Sequence, residues 1–333
     1  MQARDRIGPL SLFLVASAVA IAGVAPVAQA QATKLRFAHT VSTEDTSHRA
    51  IVEFAKKVKE RTGGRVEVEI YPAAQLGNDP KVLEGVRLGT IDAGMTGNPF
   101  FSSFAPELNV LDLPYLFRDY DHVFKVLDGP LGRELLGHLD KHGLKGLGFL
   151  EVGFRNLTNS KRPVKTPADV KGLKIRVVPN PAHVQAWKLL GGIPTPMPFP
   201  EVYLALKTGT VDGQENPVTI IHANKLYEVQ KYLSLTWHAY TAFDVVMNLK
   251  KFQALPPDVQ QVMTEALQEA FIWQRKLDRE VEGDYLQKMK AAGMVVEESP
   301  DRSAFAKVVA SEVTEEYVRK FGTATLDKIR NTR

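Results

Sequence analysis

Arg176 is the residue whose type and position most directly suggest binding chemistry. It lies in the segment GLKIRV, at the end of a strand predicted over Lys174–Val177. A guanidinium group is planar and permanently charged, so it can hold a carboxylate through two parallel hydrogen bonds. The alternative is a surface arginine that ends a strand, and the residue type alone does not decide between the two.

A second polar group follows the predicted strand that begins at Val211, in the segment DGQENP. The amide of Asn216 both donates and accepts hydrogen bonds, which suits a carboxylate or a neighbouring hydroxyl. Glu215 could pair with Arg176 or accept a hydrogen bond from a sugar hydroxyl. A solvated surface acid is the alternative for Glu215.

Three more candidates follow predicted strands in the first part of the chain. His39 and Glu44 come after the strand Lys34–Ala38, and Asn98 comes after the strand Ile91–Met95. An imidazole, a carboxylate or an amide could recognise ligand hydroxyls. Each of the three is also compatible with a turn or surface position.

The sequence lacks the motifs of common enzyme classes. It contains no G-x-S-x-G, no H-E-x-x-H and no phosphate loop, and in the one glycine run, at Gly146 and Gly148, Glu151 replaces the last glycine. There is no cysteine, and the eight histidines are scattered without metal-ligand spacing. We therefore expect no catalytic residues, no metal and no cofactor.

The amino terminus has the pattern of a secretory signal peptide. Arg4 and Arg6 precede an apolar run over 10–27, which ends at Ala28-Gln29-Ala30. We predict cleavage after Ala30, so that 1–30 is a signal peptide and the protein is periplasmic; a membrane anchor is the alternative. The net charge of +4 is small and the basic residues are scattered, which argues against nucleic-acid binding.

Short strands alternate with helical segments after Lys34, a pattern typical of a largely parallel sheet covered by helices. Asp79 followed by Pro80 predicts a helix start, with Asp79 as the N-cap. The apolar period over 259–289 predicts a long helix, and a second long helix is predicted over 303–321. A helix of thirty residues would span roughly 45 Å and could brace two lobes.

One pattern occurs twice, 120 residues apart. The segment PKVLEGVRLGTIDAG begins at Pro80 and PEVYLALKTGTVDGQ begins at Pro200, and both place Gly-Thr-aliphatic-Asp after a helix. A shared helix-glycine-strand turn can arise by chance. The matching prolines make two similarly built α/β lobes the better explanation, and such lobes form a cleft at the carboxyl ends of their strands.

Several longer segments resemble a known family. GFRNLTNSKRPVKTPADVKGLKIRV, PTPMPFPEVYLALKTGTVDGQENP and YEVQKYLSLTWHAY lie within 153–240, and FAKKVKERTGGRVEVEIYPAAQLG and LDLPYLF lie upstream. Together they resemble the substrate-binding subunit of tripartite ATP-independent periplasmic (TRAP) transporters. This family includes binders of dicarboxylates, sialic acid and uronic acids, and the similarity covers nearly all of the chain after the signal segment.

The resemblance implies an α/β fold of two lobes with a ligand cleft between them and a long helix crossing both. On this basis we expect lobe one to comprise 32–152 plus 242–281, and lobe two to comprise 153–241 plus 282–333. The chain crossings between the lobes would act as hinges. The family is not enzymatic, and its members pass their ligand to membrane subunits driven by an ion gradient.

The resemblance also implies roles for particular residues. Arg176 occupies the place of the main carboxylate-binding arginine, and Asn216 matches a ligand-contacting position. Arg155 matches a second arginine, which could instead brace the hinge. Phe199 resembles an aromatic residue that packs on the carbon skeleton of the ligand, with core packing as the alternative. Asn180 lies near the place of a family asparagine, with the spacing displaced by one residue.

We therefore expect a monomeric protein that closes around a small organic anion. The segments GFRNLTN and VVPNPAHVQAW look closer to binders of sugar acids, such as uronates, than to binders of four-carbon dicarboxylates. A dicarboxylate or keto acid binder of the same family is the alternative. A ligand-sensing subunit and a periplasmic enzyme are weaker alternatives.

Overall fold

The computed structural model describes residues 32–333, so the predicted signal peptide lies outside the described residues. Ala32–Arg333 forms one compact unit. Within that part of the chain, no helix is both long enough and apolar enough to cross a membrane. The strands are β1 Thr33–Ala38, β2 Val66–Tyr71, β3 Ala93–Gly97, β4 Leu144–Phe154, β5 Asn156–Asn159, β6 Lys174–Val177, β7 Ile193–Pro196, β8 Gly213–Asn216, β9 Tyr232–Ser234, β10 Tyr240–Asn248 and β11 Val295–Glu297.

Helices cover the sheets on their faces. The α-helices are α1 Thr46–Arg61, α2 Asp79–Leu88, α3 Tyr120–Leu127, α4 Pro130–Gly137, α5 Pro181–Leu189, α6 Val202–Lys207, α7 Val218–Ala223, α8 Leu249–Ala254, α9 Pro257–Ala291, α10 Arg302–Phe321 and α11 Ala324–Asn331. Short 3-10 helices lie at Asn98–Ser103, Pro106–Asp112, Asp140–His142, Pro167–Val170, Phe199–Glu201 and Leu226–Glu228.

The strands form two separate sheets. The first sheet has the order β2-β1-β3-β10-β4, and the second has the order β11-β9-β5-β8-β6-β7. Both are mixed rather than largely parallel, because β10 in the first sheet and β5 in the second run antiparallel to both of their neighbours. The chain passes between the sheets at these strands, from β4 into β5 and from β9 into β10. The lobe boundaries given above remain a prediction.

The segments that are 120 residues apart adopt the same local structure. Gly89 and Gly209, with φ of +79° and +70°, follow α2 and α6. Asp92 accepts a hydrogen bond at 2.6 Å from the backbone N–H of Arg36 in β1, and Asp212 accepts one at 2.9 Å from that of Lys174 in β6. Each aspartate thus fixes the strand beside it. Hydrogen bonds of Ile91 to Gly85 and of Val211 to Ala205 repeat at the same offset.

The longest helix, α9, has 35 residues and spans roughly 52 Å at 1.5 Å per residue. Its first part packs on α1 and β4 of the first sheet, and it also packs on α7, which follows β8 of the second sheet. Val259, Met263 and Leu267 are buried against the first sheet, while Tyr285 and Met289 belong to the core beside the second. The helix therefore connects both halves of the molecule.

Candidate functional site

A pocket lies between the two sheets, where strands of both sheets end. Residues at or after the carboxyl ends of β1 and β3 line one side, and residues of β6 and β8 line the other. This is the edge at which parallel α/β sheets bind ligands. The pocket contains about 410 Å³ of space between protein atoms, its mouth included. Its lining residues are Thr40, Val41, Asp79, Gly97, Pro99, Phe100, Val152, Arg155, Arg176, Val178, Phe199, Asn216, Ile220, Thr241 and Phe243.

Arg176 lies in β6 and is 1% exposed, so it is not a surface arginine. Its Nε and Nη2 donate hydrogen bonds to the backbone oxygen of Met197, at 3.0 and 2.7 Å. Its Nη1 makes no hydrogen bond to residues 32–333. Burial lowers the pKa of Arg176 to about 10, and the charge of Glu215 opposes that shift. The side chain is therefore still charged at neutral pH. The Nε and Nη2 edge of the guanidinium is bonded to Met197, which leaves Nη1 for a ligand.

Arg155 follows β4 and is 2% exposed. Its Nε and Nη2 donate to the carboxylate of Glu215, with 2.9 Å between Nη2 and Oε1, and Nη1 donates to Thr241 Oγ1 at 3.3 Å. Burial alone would raise the pKa of Glu215. The charge of Arg155, the hydrogen bond from His238 and the nearby imidazole of His183 outweigh burial and hold the pKa of Glu215 well below its ordinary value.

Asn216 ends β8 beside the two arginines. Its Oδ1 accepts a hydrogen bond from Arg155 Nη2 at 3.1 Å, and its Nδ2 donates to Gln214 Oε1 at 2.6 Å. These two contacts fix the orientation of the amide. One N–H of Nδ2 remains for a group in the pocket, because a side-chain amide carries two donors.

The apolar part of the lining includes aromatic rings from both sides. Phe199 begins the 3-10 helix Phe199–Glu201 and is half-buried, Phe100 follows β3, and Phe243 lies in β10. A ligand in the pocket would therefore meet rings as well as charges. This arrangement suits the carbon skeleton of a small acid whose polar groups point toward the arginines.

Asp79 is a lining residue that the sequence analysis assigned another role. The N-cap of α2 is Asn78, whose side chain accepts from the N–H of Lys81, so the prediction of Asp79 as the cap was wrong by one residue. Because Asn78 takes the cap, the carboxylate of Asp79 can accept a hydrogen bond at 2.9 Å from Thr40 Oγ1. Its Oδ2 makes no hydrogen bond within 32–333. Burial raises the pKa of Asp79, and the hydrogen bond from Thr40, the charge of Arg176 and the backbone of Phe199 oppose that shift.

Of the nine predicted site residues, Arg176, Arg155, Asn216 and Phe199 line the pocket, and Glu215 contacts Arg155 without lining it. The other four lie outside the lining. Glu44 is exposed, and His39 contacts His48 with 3.0 Å between ring nitrogens, where burial and His48 lower the pKa of His39 to about 3. Asn98 and Asn180 both donate to Asp112.

The site contains groups suited to binding rather than to reaction. Two buried guanidiniums and an amide surround a space closed by aromatic rings. No group of three or more His, Cys, Asp or Glu side chains in 32–333 is arranged to hold a metal. Burying a carboxylate without a cationic partner costs several kcal/mol, and the two guanidiniums of this pocket could offset that cost.

Two mixed α/β sheets with a charged pocket between them and a long helix crossing both define the class of periplasmic binding proteins. Residues 37–320 match the model of the DctP family, described as bacterial extracellular solute-binding protein, family 7, and the chain belongs to this family. The family consists of solute-binding proteins of transporters and not of enzymes. Solute-binding proteins of this family are subunits of TRAP transporters, which implies membrane subunits as partners.

Individual relatives are similar to this chain over nearly its full length, in sequence and in structure. The 2,3-diketo-L-gulonate-binding periplasmic protein YiaO of Escherichia coli is 43% identical over 312 residues, which are 93% of this chain and 95% of the relative. The TRAP periplasmic solute binding protein of Polaromonas sp. JS666, bound to D-erythronate, superposes with a TM-score of 0.88 at 36% identity, covering 90% of this chain and 99% of that one. The sugar acid binding protein of Advenella mimigardefordensis, in complex with galactonate, gives 0.87 at 34% identity, covering 91% and 98%.

Proposed function

We propose that this protein binds a sugar acid with one carboxylate and several hydroxyls, such as an aldonate or a uronate, and delivers it to the membrane subunits of a TRAP transporter. In this proposal Arg176 is the main contact of the ligand carboxylate. Arg155 and Asn216 complete its hydrogen bonds, and Phe199 packs on the carbon chain. The observation that carries the proposal is the combination of two buried arginines with the unpaired carboxylate oxygen of Asp79 in one pocket.

The distribution of charge favours a single ligand carboxylate. The guanidinium of Arg155 is already paired with Glu215, and that of Arg176 lies within the field of Asp79 and Glu215. The two positive charges therefore face two acidic groups. One incoming carboxylate can be accommodated beside Nη1 of Arg176, but a second would lie near Asp79 without a cation of its own.

The pocket wall formed by Asp79, Thr40 and Thr241 offers hydrogen bonds that suit ligand hydroxyls. Asp79 Oδ2 needs a donor, and the side chains of Thr40 and Thr241 can exchange hydrogen bonds with a polyol. A buried acceptor left without a donor costs roughly 1–3 kcal/mol. A ligand hydroxyl that donates to Asp79 removes this cost, whereas a methylene group does not.

The relatives support the same class of ligand. The names of the three proteins compared above refer to a diketogulonate, an erythronate and a galactonate, each an acid derived from a sugar. A four-carbon dicarboxylate or a keto acid is the alternative within the family. The unpaired oxygen of Asp79 argues against a dicarboxylate.

The cellular context of the proposal follows from the amino terminus and from the relatives. We propose that 1–30 is a signal peptide cleaved after Ala30 and that the mature chain acts in the periplasm. The relative YiaO, whose name describes it as a periplasmic protein, supports this location. We also propose that it acts as a monomer. Light scattering on the purified protein and mass spectrometry of the mature amino terminus test these two statements.

A ligand screen by thermal shift tests the function directly. The compounds are D-galactonate, D-erythronate, D-glucuronate, D-galacturonate, 2,3-diketo-L-gulonate, succinate and pyruvate. A ligand at a hundred times its dissociation constant stabilises the folded protein by about 2.7 kcal/mol. We expect stabilisation by at least one sugar acid, with a dissociation constant of about 1 μM or lower by calorimetry, which corresponds to about −8 kcal/mol.

A matched comparison makes the screen decisive. Succinate and D-erythronate both have four carbons, and they differ in that erythronate carries hydroxyls and a single carboxylate. We expect erythronate to stabilise more than succinate. Tight binding of succinate with no response to any sugar acid would contradict the proposed ligand class.

A further inference from the structure

A positively charged surface covers the end of the second sheet that is opposite the pocket. The pocket residues Arg176 and Asn216 lie toward the carboxyl ends of β6 and β8, and the amino ends of these strands lie at the other end of the sheet. Five neighbouring strands begin or end there, in the order β9-β5-β8-β6-β7. At about 4.8 Å per strand, these strand ends form a surface roughly 20 Å wide.

Strand pairing brings separate segments of the chain together on one side of this surface. Asn159, the last residue of β5, is paired with Gly213 of β8 and with Tyr232 of β9. Lys161 follows β5 by two residues and Lys231 directly precedes β9, so both lie near the start of β8. The backbone N–H of Lys231 donates to the oxygen of Asn159 at 3.2 Å, which fixes the two segments beside each other.

The other side of the surface carries lysines near the starts of β6 and β7. Lys174 begins β6 and is paired with Ile193, the first residue of β7. Lys171 lies in the turn before β6, and Lys188 lies in the last turn of α5, which leads into β7. A backbone hydrogen bond of 2.9 Å joins the turns that precede the two strands. The fold thus assembles cations that are scattered along the sequence.

This surface, which we call the basic end, carries more positive charge than the whole chain. Seven cations and two aspartates give it a net charge of +5, whereas the full sequence has +4. Lys161 lies 3.3 Å from Asp212, and among residues 32–333 no carboxylate lies in ion-pair range of the other six cations. The basic end consists of Lys161, Arg162, Lys171, Lys174, Lys188, Lys207 and Lys231, with Asp169, Asp212 and Ile193 among them.

Local structural roles explain only part of this charge. Lys188 and Lys207 lie in the last turns of α5 and α6, where a positive charge stabilises the carboxyl end of a helix. Arg162 donates hydrogen bonds to two backbone oxygens of the neighbouring turn and so holds that turn. Lys171 and Lys174 are exposed, and their ammonium groups make no hydrogen bond to residues 32–333. Their charges are therefore available to a partner.

An exposed apolar side chain lies among these lysines. Ile193 is 51% exposed, and Lys174 is its partner in the strand pair. A single exposed apolar residue is ordinary on a protein surface. A surface that combines several lysines with an apolar side chain, however, suits the headgroup region of an anionic bilayer, where the lysines meet phosphates and the apolar group reaches the acyl boundary.

We propose that the basic end binds a membrane surface rich in anionic phospholipid headgroups. The surface is broad and carries mobile lysines rather than a pocket, so it suits many headgroups at once better than a single small anion. Such binding keeps a protein that serves membrane subunits close to the bilayer. The proposal rests on the periplasmic location proposed above, and it does not depend on which organic acid the pocket binds.

Vesicle co-sedimentation tests the proposal with the purified protein and no sugar acid. The vesicles consist of pure phosphatidylcholine, or of phosphatidylcholine with about one third phosphatidylglycerol as the anionic lipid. We expect binding to the anionic vesicles alone. This binding should disappear between about 0.1 M and about 1 M salt, because the range of a charge falls from about 10 Å to about 3 Å. Equal binding to both kinds of vesicle, or binding to neither, would overturn the proposal.

A pair of double variants tests whether the basic end is responsible. Lys171→Gln with Lys174→Gln should weaken binding to anionic vesicles at least tenfold, because each lysine near such a surface contributes a factor of about five. Lys56→Gln with Lys307→Gln is the control, since these exposed lysines of α1 and α10 form no ion pair within 32–333 and their loss changes the net charge equally. An equal loss in both double variants would assign the binding to total charge and reject the basic end.

A fluorescent label tests which face meets the bilayer. Because the natural chain has no cysteine, Ile193→Cys and Leu88→Cys each give one attachment point for an environment-sensitive dye. Leu88 is exposed at the end of α2 and serves as the control. We expect the emission of the dye at position 193 to shift to the blue with anionic vesicles, and that at position 88 to stay constant. A shift at position 88 alone would place a different face on the membrane and overturn the proposal.

A binding measurement separates this proposal from the proposed function. Lys171 and Lys174 do not line the pocket, so their double variant should bind D-galactonate in calorimetry with the affinity of the natural protein. If galactonate fails to bind the natural protein, the proposed ligand is wrong while the vesicle measurements still decide the role of the basic end. If the natural protein binds galactonate but the anionic vesicles do not retain it, the membrane proposal is wrong and the proposed function stands.

Discussion

Glu215 forms a buried ion pair with Arg155 but does not itself line the pocket. The carboxylate accepts from Nε and Nη2 of the same guanidinium, and Thr241 accepts from Nη1. Arg155 is thereby held at all three of its nitrogens. The geometry makes Glu215 a residue that determines where Arg155 points. The sequence analysis had considered pairing with Arg176, a contact with a sugar hydroxyl or a solvated surface acid; the structure pairs Glu215 with Arg155 and buries it.

Glu215→Gln tests this arrangement. The amide keeps the size of the side chain but loses its charge, so Arg155 retains fewer and weaker hydrogen bonds and its charge is left partly uncompensated. We expect about a tenfold loss of sugar acid affinity by calorimetry. Glu60→Gln, an exposed glutamate in α1, is the control and should bind normally. Unchanged affinity in Glu215→Gln would show that Arg155 is positioned without Glu215.

Arg176→Ala should nearly abolish binding. The variant removes the cation that we propose as the contact of the ligand carboxylate, and truncating one partner of a buried charge pair costs about 3 kcal/mol or more, which is at least a hundredfold in affinity. Arg319→Ala, an exposed arginine in α10, is the control. Near-normal affinity of a folded Arg176→Ala protein would reject Arg176 as the carboxylate contact.

Arg176→Lys separates charge from shape. Lysine keeps the positive charge but cannot reproduce the contact with the backbone oxygen of Met197 and a second, directed N–H toward the ligand. We expect an intermediate affinity, weaker than the natural protein and stronger than Arg176→Ala. Full recovery with lysine would mean that only the charge matters.

The order of elements and the duplicated helix-turn-strand segment were predictable from the sequence. The glycines at 89 and 209 and the aspartates at 92 and 212 are spaced identically and adopt the same conformation, because positive φ at glycine and a carboxylate bonded to a strand N–H are local requirements. The antiparallel insertion of β5 and β10 was not predictable. The antiparallel direction of these two strands follows from the places where the chain crosses between the sheets, and no local sequence pattern indicates those places.

The lining of the candidate site was predictable where a strand end carries an unusual side chain: Arg176 and Asn216 both line the pocket, and their contact with a ligand stays a prediction. It was not predictable where two neighbouring residues compete for one local role. Asn78 and Asp79 are both good N-caps, only one can cap α2, and the carboxylate left over lines the pocket. Asn98 and Asn180 also follow strands, as expected of ligand residues. In the structure the Nδ2 groups of both donate hydrogen bonds to Asp112.

Asp79→Asn should change ligand selectivity. The amide oxygen can still accept from Thr40, but the negative charge facing Arg176 is lost, and Nδ2 places a donor where Oδ2 accepted. We expect about a tenfold weaker affinity for D-erythronate and an equal or stronger affinity for succinate. The ratio of the two dissociation constants, measured by calorimetry, is the readout. A loss that is equal for both ligands would show that Asp79 does not distinguish hydroxyls from a second carboxylate.

Asp278→Asn in α9 should make the protein more stable at alkaline pH. Asp278 lies beside Glu151, and Gln274 donates a hydrogen bond to Oδ2 of Asp278 at 2.8 Å. Burial is the main cause that raises the pKa of Asp278, and the charge of Glu151 raises it further. Burial also raises the pKa of Glu151. A carboxyl whose pKa is higher in the folded state holds its proton more tightly there, so its ionisation destabilises the fold as pH rises from the unfolded pKa through the folded one. Between about pH 5 and pH 9 the natural protein should therefore lose stability on the order of 4 kcal/mol relative to Asp278→Asn, because the pKa of Asp278 is raised to about 8 and each pH unit below it contributes about 1.4 kcal/mol. Urea unfolding at both pH values measures this, with the exposed Asp284→Asn of the same helix as control. A constant difference between natural protein and variant across that range would mean that Asp278 ionises as freely in the fold as in the unfolded chain.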